Sequence, residues 1–207
     1  MLKLGVLISG SGTNLQAIID ACANGTLDAE VVLVISSKPD AYGLQRAQQA
    51  NIPTIGLTRE VYNSQLAADQ LIAERFAQAG AEYIVMAGYM RMVGAPILEA
   101  FPDKVINIHP ALLPAFVGAH GIQDAWDYGV KVTGVTVHFA NAAYDEGPII
   151  AQRAVEIYEH DSIESLEQRI HAVEHELYPQ VLQLLATGRI SIDEHRHVRI
   201  SNPNSAA

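Results

Sequence analysis

The chain has 207 residues, 49% hydrophobic and 17% charged, with 15 Gly and 9 Pro, a balance that excludes a disordered or collagen-like polymer and suits one core. Thirteen Lys and Arg against 23 Asp and Glu leave a net charge of -10, which repels phosphate backbones and anionic lipid, so nucleic acid and membrane surfaces are not expected partners. No run approaches the ~20 apolar residues of a membrane span. Met1 to Gly5 lacks a signal-peptide layout and Cys22 is the lone cysteine, so a cytoplasmic protein without a disulfide is expected.

In chain order, short apolar runs alternate with segments of helical period. Leu4 to Ile8 reads as a strand and a helix follows from about Asn14, with Leu15, Ile18, Ile19 and Cys22 on one stripe. Val31 to Ile35, Pro53 to Ile55, Tyr83 to Ala87 and Val105 to Ile108 continue the strands. Helices are expected from Ala41, over Ser64 to Ala79 and near Pro96 to Ala100. Strands apolar throughout, separated by helices, are what a parallel sheet covered on both faces requires. After a loop with Pro114, Gly118 and Gly121, Val132 to Phe139 alternates, with Val135, Val137 and Phe139 set against Thr136 and His138, so unlike faces and antiparallel pairing to Ile149 to Ile157 are expected. A last helix opens at Asp161-Ser162 with Glu164 behind it, and Pro179 is expected to kink or end it before Val181, Leu184 and Leu185. The expected fold is α/β, an open, mainly parallel twisted sheet with helices on both faces and an antiparallel C-terminal part. It forms one domain over 1-200 with a mobile tail over 201-207.

Ser9-Gly10-Ser11-Gly12-Thr13-Asn14 joins the first strand to the first helix, where glycines permit a tight turn and free backbone N-H groups suit an anion. The dinucleotide fingerprint would need a third Gly and an acid after the second strand. Leu15 and Ser36-Ser37-Lys38 stand there instead, so a nicotinamide cofactor is disfavoured and one phosphate is the ligand suggested. The bland alternative is a turn capped by the side chain of Thr13 or Asn14.

Asn107 and His109 are spaced i, i+2 at the carboxyl end of a strand, so they share a side, and Pro110 stiffens the exit. Asp145, on a connection between later strands, could return beside His109 and favour its protonated form. An imidazolium and an amide aimed at one oxygen suit acyl transfer without a covalent nucleophile; a structural Asn and His in a turn is the alternative.

With these residues in place the chain resembles the folate-dependent glycinamide ribonucleotide formyltransferases. The resemblance rests on LISGSGTNLQA (7-17), AGYMRM (87-92), NIHPALLP (107-114), GVTVHF (134-139), DEGPII (145-150) and EHELYP (174-179), and spans about residues 2-192. It implies formyl transfer from 10-formyltetrahydrofolate to the amine of glycinamide ribonucleotide, with His109 as proton donor, Asp145 as its carboxylate and Asn107 holding the formyl oxygen. It also implies phosphate on Gly12, Thr13 and Asn14, ribose near Glu174, and the nucleotide passing Pro110 and Gly118. The folate would lie along Met90, Arg91, Met92 and Val93, beside Asn107 and the 140-145 loop with Ala143, and Arg91 near its anionic tail. No metal is implied, and a homodimer is possible.

Three positions depart from the family pattern. Gln65 stands where relatives usually carry Arg or Lys near the folate carboxylates, which predicts a weaker hold on that tail. Val117 precedes Gly118 where Pro is common, and Ala140 to Ala143 is less acidic than the usual folate loop. Two competing functions remain: a formyltetrahydrofolate deformylase, disfavoured because such relatives carry a domain ahead of the first strand, and a catalytically silent folate- or nucleotide-binding protein. His171-x-x-Glu174-His175 also matches a zinc-peptidase pattern, though few residues follow to supply a third ligand. His138 is expected to be structural, and His120 either orients Asp145 or faces solvent.

Overall fold

The computed structural model describes residues 1-143 and 145-202. The tail expected beyond Asn202 therefore lies outside the described residues, as does Tyr144. The elements follow as β1 (Leu2–Ile8), α1 (Thr13–Ala23), β2 (Ala29–Ser36), α2 (Tyr42–Gln49), β3 (Thr54–Gly56), α3 (Gln65–Gln78), β4 (Tyr83–Met86), α4 (Ala95–Ala100), β5 (Val105–His109), α5 (Gly121–Tyr128), β6 (Val132–Phe139), β7 (Ile149–Glu156), α6 (Ile163–Ala186), β8 (Ile190–Ile192) and β9 (Val198–Ile200), with a 3-10 turn at Arg59–Asn63.

Seven strands form one sheet in the order β3-β2-β1-β4-β5-β6-β7, parallel through β5 and antiparallel for β6 and β7, as the two textures of the sequence require. Two apolar layers cover it. One joins Leu15, Ile18, Val85, Ile106, Leu166, Leu177 and Tyr178; the other joins Leu7, Ile35, Ile72, Phe76, Ile84 and Ile97. Residues of β1 and β4 contribute to both layers, which is why those strands carry no polar alternation. The strand order reverses at β1 and β4, so the loops leaving their carboxyl ends flank a crevice.

Four local expectations change. The first is β6, which is buried on both faces from Thr133 to Phe139, because the 111–114 segment folds over it: Thr136 Oγ1 donates to Ala111 O at 2.7 Å and accepts from Leu113 N at 3.1 Å. The second is α6, which continues through Pro179; Tyr178, Val181, Leu182 and Leu185 are buried around that point, and their packing outweighs the missing backbone hydrogen bond. Its N-terminus is held by reciprocal bonds between Ser162 and Ser165 rather than by Glu164. The third is the small antiparallel pair of β8 and β9, which the sequence reading did not contain: three-residue strands are too short to show a period. The fourth is Ser201, which is not free, since its N-H donates to Arg189 O at 2.9 Å. Among the described residues no helix is long and apolar enough to cross a membrane.

Candidate active site

The carboxyl ends of β1, β4 and β5 open into a cleft of about 500 Å³, lined at one end by Gly10 to Asn14, His171 and Glu174, at the other by Tyr89 to Val93, and in the middle by Asn107, His109 and Asp145.

At the first end, α1 starts at Thr13 from Gly12 in the left-handed conformation (φ 71°), with no side-chain cap. The capping by Thr13 or Asn14 considered from sequence is absent, and the first-turn N-H groups face the cleft without a protein acceptor from the cap residue. Glycine is required at position 12 twice over, by its φ and because a Cβ there would meet Gly43 Cα at 2.6 Å. Asn14 turns its amide to Glu174, whose Oε2 accepts from Asn14 Nδ2 and from His171 Nδ1, both at 2.9 Å. Glu174 is 4% exposed, and Asn14 Oδ1 is buried without a partner, an acceptor that a ligand hydroxyl would satisfy. The Glu174 hydrogen bond raises the pKa of His171 above its ordinary value, against the opposing effect of burial. His171 and His175 stack at 6.4 Å, but the Glu174 carboxylate that a zinc reading would place between them is engaged by Asn14.

In the middle, β5 brings Asn107 and His109 to one side, and the 140–148 connection returns Asp145 beside them. Asp145 holds a backbone φ of 54°, and its side chain is 5% exposed. Asp145 Oδ2 lies 3.5 Å from His109 Nδ1 and accepts Gly118 N-H at 2.9 Å; Oδ1 lies 3.5 Å from His138 Nε2 and accepts from Asn107 Nδ2 at 3.3 Å. Burial pushes the Asp145 carboxyl up, but His138, the Gly118 N-H and the two imidazoles together outweigh it, so its pKa falls below the ordinary value. His109 Nε2 faces Phe116 O at 2.7 Å, so both ring nitrogens meet acceptors, an arrangement that a doubly protonated ring satisfies. His138 Nδ1 faces Phe139 O at 2.9 Å, while its Nε2 lies between the Asn107 amide at 3.2 Å and Asp145 Oδ1 at 3.5 Å, which holds the ring in a buried, bracing position. His120 is exposed at the start of α5, and Gly118, not His120, touches Asp145.

At the other end, Met90 to Gly94 has no regular structure and is held from outside. Ser9 Oγ accepts Met90 N-H at 2.9 Å, Arg91 lies over the Tyr62 ring at 3.7 Å, and Met90 and Met92 expose their side chains. Gln65 does not line the cleft: its amide donates to Asp69 Oδ1 at 2.9 Å and to Met92 O at 3.3 Å.

A formyl transferase family model matches residues 2–182 of the chain. The chain belongs to the formyl transferase family. Similar within it are a phosphoribosylglycinamide formyltransferase of Bacillus subtilis, 43% identical over 89% of this chain and 95% of that protein, and one of Haemophilus influenzae, 42% identical over 94% and 92%. The crystal structure of a glycinamide ribonucleotide transformylase from Symbiobacterium toebii superposes with a TM-score of 0.94 at 49% identity, covering 98% of this chain and 95% of that one.

For this formyl transferase family member, the sequence-derived residues divide by place. Asn107, His109, Asp145, Gly12, Thr13, Asn14, Glu174, Pro110, Gly118, Met90 to Val93 and Ala143 all line one cleft, whereas Gln65 sits behind it. Sequence reasoning missed Lys38 and His171, which also line it, and Asp69, which braces it. Loop N-H groups and Arg91 bring positive potential to the cleft. Lys38 and the raised His171 add to it, and Arg46 Nε secures the loop ahead of α1 by donating to Ser11 O at 2.9 Å. A lysine after the second strand was the available signal, read there only as the lack of an acid.

Proposed function

We propose that this chain transfers the formyl group of 10-formyltetrahydrofolate to the primary amine of glycinamide ribonucleotide, the phosphoribosylglycinamide formyltransferase reaction of purine synthesis. The observation that carries the reading is the cleft itself, in which an anion-suited helix N-terminus and a loop with exposed methionines flank Asn107, His109 and Asp145. The phosphate seats on the N-H groups of Gly12, Thr13 and Asn14, with Glu174 and Asn14 Oδ1 taking the ribose hydroxyls. The formyl donor, a co-substrate, lies along Met90 to Val93 and Ala140 to Ala143.

Asn107 and His109 meet the formyl oxygen as the amine attacks the formyl carbon and negative charge collects there. Asp145 stays ionised beside His109 and offsets the charge of its ring. The new C-N bond to the amine forms, the C-N bond to the folate nitrogen breaks, and the proton shed by the amine returns to that nitrogen through His109. Because Phe116 O accepts from His109 Nε2 and the Asn107 amide is engaged by Asp145 and His138, those partners must give way before the two side chains serve the substrate.

Incubating the purified chain with the formyl donor, with and without glycinamide ribonucleotide, tests the reading. Tetrahydrofolate release that requires the amine is expected. Amine-independent formate release would indicate hydrolysis instead, and no turnover would leave only binding.

A further inference from the structure

Asp69, on α3, is 1% exposed, yet it forms no ion pair among the described residues. A carboxylate in such a place is costly unless its oxygens accept hydrogen bonds, and an apolar side chain would pack there more favourably. Its two oxygens are used on one task. Oδ2 accepts the backbone N-H of Gly94 at 2.9 Å, and Oδ1 accepts Gln65 Nε2, whose other bond goes to Met92 O. The approach requires glycine at 94, where a Cβ would stand 2.5 Å from Asp69 Oδ2. Burial pushes the Asp69 carboxyl up while both donors hold it down.

We infer that Asp69, with Gln65 and Gly94, is a positioning group that fixes the Met90 to Gly94 backbone as the seat of the formyl donor, an inference that rests on the function proposed above. Ser9 holds that segment at Met90 N-H and Asp69 holds it at Gly94 N-H, so the intervening backbone is fixed from both ends while its methionines stay exposed. Gln65 acts from behind the loop on its carbonyl rather than on the donor's anionic tail.

Two measurements test this. In Asp69→Asn, which removes one acceptor oxygen, KM for the formyl donor should rise about tenfold, as loss of one charge-assisted hydrogen bond implies. KM for the nucleotide should stay within about twofold, with the thermal melt still cooperative. A donor KM that does not move, or two KM values that rise together, would overturn the inference. Amide hydrogen exchange over residues 88–94 should accelerate in the same variant; unchanged exchange overturns the strut whether or not the chain transfers formyl. If Asp69→Asn does not fold, Gln65→Ala serves, since Gln65 is an exposed residue. Its effect should be the same for a donor lacking the glutamate tail, and an effect confined to the tailed donor would assign Gln65 to the tail.

Discussion

At the residue scale, one carboxylate organises the middle of the cleft. Asp145 is met by two imidazoles, one amide and one backbone N-H, drawn from β5, β6 and the loop at Gly118. Replacing it with Asn keeps the shape and removes the charge. Asp145→Asn should fold, lose about 10²-fold or more in kcat, and shift the acidic limb of the pH profile; stopped-assay rates from acid to neutral pH check this, and an unmoved limb would separate Asp145 from His109. His171 allows a second prediction. Its pKa is raised chiefly by Glu174, so it keeps its charge to a higher pH than a free imidazole and loses it as pH rises through that raised value. KM for the anionic nucleotide should therefore climb on the alkaline side, and His171→Gln should flatten that climb.

At the element scale, function depends on where strands end and helices begin. Gly12→Ala would force an L side chain into φ 71° and against Gly43, so it should raise the KM of the nucleotide about tenfold or more while leaving that of the donor unchanged. Steady-state kinetics varying each substrate in turn decide it. The elements differ in how openly the sequence displays them. Continuous apolar runs announce β1, β2, β4 and β5 because each strand is covered on both sides. The i, i+2 spacing of Asn107 and His109 shows a shared face without knowledge of the rest of the chain. β6 misleads in part, since Thr136 and His138 give the strand unlike faces in the sequence, and only the 111–114 segment and the Asp145 loop closing over them bury both. Pro179 misleads in the same way: local chemistry predicts a break, and packing around Tyr178 decides otherwise. Asp69 and the place of Gln65 were illegible because they rest on contacts with a loop 25 or more residues further along the chain, Asp69 with Gly94 and Gln65 with Met92.

At the scale of the whole molecule, the acidic chain holds several carboxylates below their ordinary range: Asp161 through Arg169, Asp103 through Arg196, Asp193 through the His197 N-H, and Asp145 in the cleft. A depressed folded pKa contributes stability that is present above the unfolded value of about 3.9 and is lost as pH falls through the folded one. His171 is raised, so its contribution is full below about pH 6.5 and is lost above it, whereas His175 is lowered by burial and its contribution is full above about pH 6.5 and is lost below it, so the pair gives a shallow maximum near that pH rather than a slope across it. Tm should accordingly change little between pH 5 and 8 and fall steeply below about pH 4, and Asp161→Asn should shallow that fall; calorimetric melts across the range would show it. Over this acidic body, the cleft gathers N-H groups, Lys38, Arg91 and His171 for two anionic ligands.

The central claim is that His109 acts on the reacting formyl oxygen rather than on binding. Its direct test is the single-turnover rate of purified His109→Ala with both substrates saturating, beside the nucleotide's Kd. A rate lower by about 10²–10³ is expected, with a Kd within about twofold of the unaltered chain. A near-normal rate, or a loss explained by weakened nucleotide binding alone, would contradict it.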